Sequence, residues 1–170
     1  MRILKRILPS ILMLVGLSAE AARLKDISSI RGVRENQLVG YGIVVGLKGT
    51  GDGKSEFTGK SVARMLDKLG VKLDKDQVES KNVAAVIITG ILPPFGKAGN
   101  AMDVTVNALG DASSLEGGTL LQAPLRAANE QVYAVAQGSV VLGGEGKNVF
   151  TTVGRVPNGG MIERDVGADF

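Results

Sequence analysis

The sequence predicts an α+β domain dominated by sheet, with mixed or antiparallel strands and at least one amphipathic helix at about residues 58–69. Three observations carry that expectation. Apolar runs, β-branched in part, recur between clusters of turn formers. The chain holds 24 glycines in 170 residues without a strict repeat, roughly twice the usual share, which favours many tight turns. One segment alone has a clear helical period.

The elements follow in chain order. Leu24, Ile27 and Ile30 recur every three residues and fit a short helix or an irregular extended arm equally well. Residues 38–47 read as a buried strand, with Gly40, Gly42 and Gly46 at bulges or close backbone approaches. A glycine-rich loop, residues 48–55, comes next. In the helix, Val62, Met65, Leu66 and Leu69 fall on one face, Thr58 serves as the cap and Gly70 as the stop. Residues 83–92 read as a central strand ended by Pro93 and Pro94. Residues 102–109 alternate, with Val104 and Val106 on one side and Asp103, Thr105 and Asn107 on the other. Residues 119–122 form a short apolar run, residues 131–142 a long strand, and residues 143–148 a flexible turn. Residues 149–156 and 161–166 are expected to pair as a hairpin across Pro157, Asn158, Gly159 and Gly160.

Composition excludes whole function classes. There is no His and no Cys, which removes the Ser-His-Asp triad, an imidazole base, a thiolate nucleophile, the zinc ribbon, the iron–sulfur centre and the disulfide. No cofactor and no metal is expected, and an enzyme would have to work with carboxylates, Lys, Ser, Thr or Tyr. The formal charge is +3, but Arg2, Lys5 and Arg6 against Glu20 supply most of it. A nearly neutral remainder with few aromatics argues against nucleic-acid binding.

The first 21 residues read as an export signal. Arg2, Lys5 and Arg6 make a positive start, residues 7–17 are mostly apolar, and Ala19-Glu20-Ala21 predicts cleavage between Ala21 and Ala22. The apolar run is about half the ~20 residues a membrane span needs. Residues 22–170 are therefore expected outside the cytoplasm and not as an integral membrane protein.

Three candidate sites stand beside blander readings. The loop holding Gly49, Gly51, Asp52 and Gly53 precedes Lys54-Ser55 and resembles a phosphate loop. The glycine that such a loop needs five positions before Gly53 is Lys48, so the spacing fails. The plain reading is a mobile loop. Asp52, Asp103 and Asp111 are the carboxylates a periplasmic peptidoglycan-acting enzyme or binding module would use, but sugar-stacking aromatics are few. Lys81 stands just before a strand and by itself reads as a solvated lysine.

Long ordered stretches carry more. RGVRENQLVGYGIVVGLKGTGDG at residues 31–53, KNVAAVIITGILPPF at 81–95, MDVTVNALGDASSLEGGTLL at 102–121, PLRAANEQVYAVAQGSVVLGG at 124–144 and TVGRVPNGGMIERD at 152–165 resemble the bacterial flagellar P-ring protein family, in family order. The resemblance implies a non-enzymatic, exported structural protein of the periplasm and flagellar basal body. It would form a closed homo-oligomeric ring around the flagellar rod at the peptidoglycan layer. That ring serves as a bushing and as the platform for the L-ring protein, with a periplasmic P-ring chaperone in assembly. Residues 22–170 correspond to the N-terminal portion of the family, whose chains continue well past this point. The chain is thus expected to be a fragment or a truncated product that does not close a stable ring alone. The resemblance makes Lys81 the candidate rod contact. It also places Ser113 and Glu116 where the family usually carries a lysine and an arginine. Within such a ring the segment Gly49, Gly51, Asp52, Gly53 becomes the candidate flexible assembly loop, and exposed sheet edges become the expected joints between neighbours.

Overall fold

The computed structural model describes residues 34–53, 55–68, 70–71, 81–143 and 150–166. The expected export segment with its Ala21–Ala22 junction, the expected arm at residues 24–30, Leu69 and the expected turn from Gly144 to Asn148 lie outside them.

Seven strands and one helix make up the described chain: β1 (Asn36–Val45), α1 (Glu56–Lys68), β2 (Val83–Leu92), β3 (Ala101–Ala108), β4 (Thr119–Arg126), β5 (Val132–Ser139), β6 (Val141–Leu142) and β7 (Val153–Ile162). They hydrogen-bond in the order β3-β2-β1-β4-β5-β7-β6, and β3 also pairs with β7. That extra pairing closes six strands into a barrel. Every pairing is antiparallel, so the sheet is not mixed. The longest ladder joins β1 to β2 from Asn36↔Leu92 to Val45↔Val83 without a shift.

Alternation builds the barrel. Leu38 and Val44 from β1, Val86, Ile88 and Leu92 from β2, and Val104 and Val106 from β3 point inward and are buried. Leu120 and Leu125, Ala134 and Ala136, and Val156 and Ile162 join them in the core, with Leu47 and Leu115 from the loops. Each buried Val, Leu or Ile among them contributes about 1.5–3 kcal/mol. The interior is narrow, which explains the small residues in its strands. A Cβ on Gly42 would lie 2.8 Å from Ile88 Cδ1, 3.0 Å from Leu120 Cδ1 and 3.2 Å from the Ala123 Cβ.

Several elements differ from the sequence expectation. The helix starts at Glu56, and Ser55 rather than Thr58 caps it, its Oγ accepting the Thr58 N–H at 3.4 Å. Gly70 does stop it: at φ 85 its N–H donates to the Asp67 carbonyl, while Val71 N–H donates to that of Leu66, the paired bonds of a Schellman ending. β4 runs on to Arg126 through Pro124, with an irregularity between Leu120 and Ala123. The long strand at residues 131–142 breaks at Val140, whose N–H turns to the Gly118 carbonyl.

The expected hairpin is absent; one strand, β7, runs through its supposed turn. The residues Pro157, Asn158 and Gly159 form a bulge opposite Asp103, between the pairs Met102↔Gly160 and Val104↔Val156. Asp103 stabilises that bulge: its Oδ1 accepts the Asn158 N–H at 2.8 Å, and its Oδ2 lies 3.5 Å from Arg155 Nε. β3 on one edge and β5 and β6 on the other hold the strand in line past the insertion. Turn-forming residues therefore serve a bulge here. Closure also removes the long free edges expected as joints between subunits; β6, two residues long, ends the strand order.

Candidate functional site

The loops at one end of the barrel converge on a single carboxylate. Asp52 is 3% exposed. Its Oδ2 accepts the Thr58 hydroxyl at 2.5 Å and the Ala85 N–H at 2.8 Å, and its Oδ1 accepts the Ala112 N–H at 2.9 Å. Three donors from α1, β2 and the segment after β3 thus meet one buried acid. Gly110 packs against it; a Cβ there would sit 2.5 Å from Oδ1.

The backbone around Asp52 is bound as tightly. Gly51 N–H donates to the Lys81 carbonyl at 2.6 Å, and Asp52 N–H donates to the Val83 carbonyl at 2.8 Å. Ser113 N–H donates to the Thr50 carbonyl at 2.8 Å, and Thr50 Oγ1 donates to the Ser114 carbonyl at 2.9 Å. Thr151 joins in, its Oγ1 donating to the Ser113 carbonyl at 2.9 Å while its own carbonyl accepts the Leu115 N–H at 2.8 Å.

The sequence candidates fall as follows. Gly51 and Asp52 are buried in this knot, Gly53 N–H donates to Asp111 Oδ1 at 3.1 Å, and Gly49, at φ 79, is exposed. Lys81 is exposed at the turn into β2. Ser113 and Glu116 are exposed on the segment that the Thr50 carbonyl and Thr151 hold, at the same barrel end as Lys81.

The three aspartates do not converge. Asp52 and Asp111 share the knot, both accepting backbone N–H groups, while Asp103 serves the β7 bulge. Among the described residues, an open cleft of about 550 Å³ has Asp103 as its one acidic lining residue, beside Arg155, Thr105 and Ile91. A second, of about 310 Å³, lies between α1 and the β1 and β4 strands and has none among them. The described lining of neither cleft offers the paired carboxylates that glycoside cleavage requires. Among the described residues no three acids gather as a metal site, and no helix is long and apolar enough to cross a membrane.

Sequence reasoning missed the partners of Asp52. The signal was an aspartate inside a glycine-rich loop six residues before a helix-start threonine. Nothing in the sequence reported that Ala85 and Ala112 would supply the other two donors.

A closed antiparallel barrel whose end loops are tied together through a buried aspartate defines a β-barrel domain. The chain belongs to the flagellar P-ring protein family, which its residues 23–170 match. It is 73% identical over 153 residues to the flagellar P-ring protein of Bdellovibrio bacteriovorus, covering 90% of this chain and 46% of that protein. It is 51% identical over 177 residues to that of Aquifex aeolicus, covering 97% and 49%. To that of Wolinella succinogenes it is 47% identical over 171 residues, covering 98% and 48%. The chain spans about half the length of the curated relatives it matches.

Proposed function

We propose that this chain is a structural part of the flagellar basal body: a subunit of the P ring that surrounds the rod in the periplasm. The family match across residues 23–170 carries this reading. The N-terminal signal directs export and is removed by cleavage between Ala21 and Ala22. The barrel then takes its place in a closed ring at the peptidoglycan layer, with a periplasmic chaperone in assembly, the rod inside and the L-ring protein built on top.

The barrel suits a bushing. A sheet closed on itself resists bending, and each of its six barrel strands is paired on both sides within the chain. A bushing must hold the shaft and still let it turn, so its rod face works best with weak, wet contacts. One exposed ion pair contributes ~0–1 kcal/mol, and many around a ring add through multivalency. Lys81 is the rod contact in this reading. Its exposed side chain stands on a backbone fixed by the Gly51 bond, and Ser113 shares its end of the barrel. Glu116 replaces a family basic residue there, so this chain meets the rod with less positive charge. The segment Gly49 to Gly53 acts in assembly chiefly as the fixed support of that end, with exposed Gly49 as the point open to a neighbour.

The test is turnover against assembly. Purified protein incubated with sacculi should release no soluble fragments, and the protein should be recovered with isolated basal bodies. Release of fragments that stops on changing an aspartate would overturn the reading in favour of a peptidoglycan-acting enzyme.

A further inference from the structure

The helix α1 lies beside a seam in the barrel wall. β1 and β4 pair at Gly40↔Leu125 and again at Val44↔Leu120, with a register shift between. The 310 Å³ cleft at this seam has Tyr41, Ile43 and Leu121 on its strand side and Arg64, Met65 and Lys68 on its helix side. Arg64 and Lys68 are exposed one helical turn apart, and neither has an ion-pair partner among the described residues. Like charges at this spacing disfavour a helix. An apolar floor rimmed by two cations unpaired among the described residues selects an occupant that brings an apolar side chain and a carboxylate on one face.

Another wall of the same barrel presents that pair. Met161, near the end of β7, is 54% exposed, and Glu163 just beyond is exposed while Ile162 between them is buried. Alternation therefore sets Met161 and Glu163 on one outward face. Glu163 N–H donates to the Tyr133 carbonyl at 2.8 Å, which fixes its backbone. Its carboxylate has no ion-pair partner among the described residues. Around the barrel, β7 is two strands from β4 and three from β1, so cleft and counterpart cannot meet within one copy.

The geometry points to a second copy of this chain as the occupant: its Met161 enters the α1 cleft and its Glu163 pairs with Arg64 and Lys68. The contact joins two different surfaces, so it is head-to-tail, the type that closes into a ring when the rotation permits. This inference rests on the ring reading above and assigns the walls through which neighbours meet.

A charge swap in flagellated cells tests it, with the full exported chain carrying Glu163→Lys, the double change Arg64→Glu with Lys68→Glu, or all three. P rings are counted by electron microscopy of isolated basal bodies. Glu163→Lys and the double change should each lower the count at least about tenfold, the effect of ~1.4 kcal/mol per contact, and the triple variant should restore it. All three side chains are exposed, so unchanged thermal melting of each purified variant checks the fold. Normal rings with Glu163→Lys, or no rescue in the triple variant, would overturn this contact and leave the ring reading standing. Absence of the unaltered chain from basal bodies would overturn both.

Discussion

Lys81 and Ser113 are bound to neighbouring residues of one loop. The Gly51 N–H donates to the Lys81 carbonyl at 2.6 Å, and the Ser113 N–H donates to the carbonyl of Thr50 at 2.8 Å. Two side chains 32 positions apart in the chain thus share one barrel end over a fixed backbone; Lys81 is exposed, and Ser113 Oγ donates to the Thr50 carbonyl at 3.3 Å. A change at the exposed Lys81 side chain should alter contacts with partners and leave the fold alone. Lys81→Glu is expected to change unfolding free energy by no more than about 0.5 kcal/mol and to impair ring formation on the rod. Denaturant unfolding of the purified variant and electron microscopy of basal bodies check the two halves. Normal rings would remove Lys81 from the rod contact.

Asp52 should behave as a structural acid. Asp52→Asn keeps the shape but turns one acceptor into a donor facing N–H or O–H groups that already donate. At least one buried donor then goes unpaired, at a cost of about 1–3 kcal/mol. Asp52→Ala should cost more, because Thr58, Ala85 and Ala112 all lose their acceptor. Urea unfolding measures both. An Asp52→Asn variant as stable as the parent would contradict the role assigned to this residue.

Gly110 is the packing counterpart of that acid. Gly110→Ala places a methyl group against the Asp52 carboxylate, 2.5–2.6 Å from its three heavy atoms. Overpacking of this kind costs about 1–3 kcal/mol. The expected result is a lower thermal midpoint with unchanged sheet content by circular dichroism.

The glycine-rich loop gives a prediction about motion. Gly51 and Asp52 donate to the strand-start carbonyls of Lys81 and Val83, so their amides should exchange slowly before any assembly. Gly53, bound only to the Asp111 side chain on an exposed surface, should exchange faster. Hydrogen exchange on the unassembled protein decides between this and a loop that orders on contact. Fast exchange at Gly51 and Asp52 would favour the latter.

Much of the fold was legible because it follows from alternation and local breakers. β2 matches its predicted bounds at Val83 and Leu92, and β1 and β3 shift by one or two residues. Gly70 ends the helix as its conformational freedom suggests. The failures came where tertiary contacts outvoted local signals. Pro157, Asn158 and Gly159 form a turn in isolation, but pairing with β3 on one side and β5 and β6 on the other makes them a bulge. Thr58 looked like a cap because Ser and Thr serve equally there; its hydroxyl is instead committed to Asp52. Closure of the barrel depends on the β3–β7 ladder, a pairing no local pattern encodes. For the candidate site, the exposure of Lys81 was readable, whereas its union with Ser113 through one loop required the fold.

The most direct measurement is mass spectrometry and electron microscopy of basal bodies purified from cells that express an affinity-labelled copy of this chain. Peptides from this sequence are expected in the purified fraction, with label on the ring that encircles the rod. Basal bodies with complete rings but no trace of the labelled chain would contradict the P-ring reading.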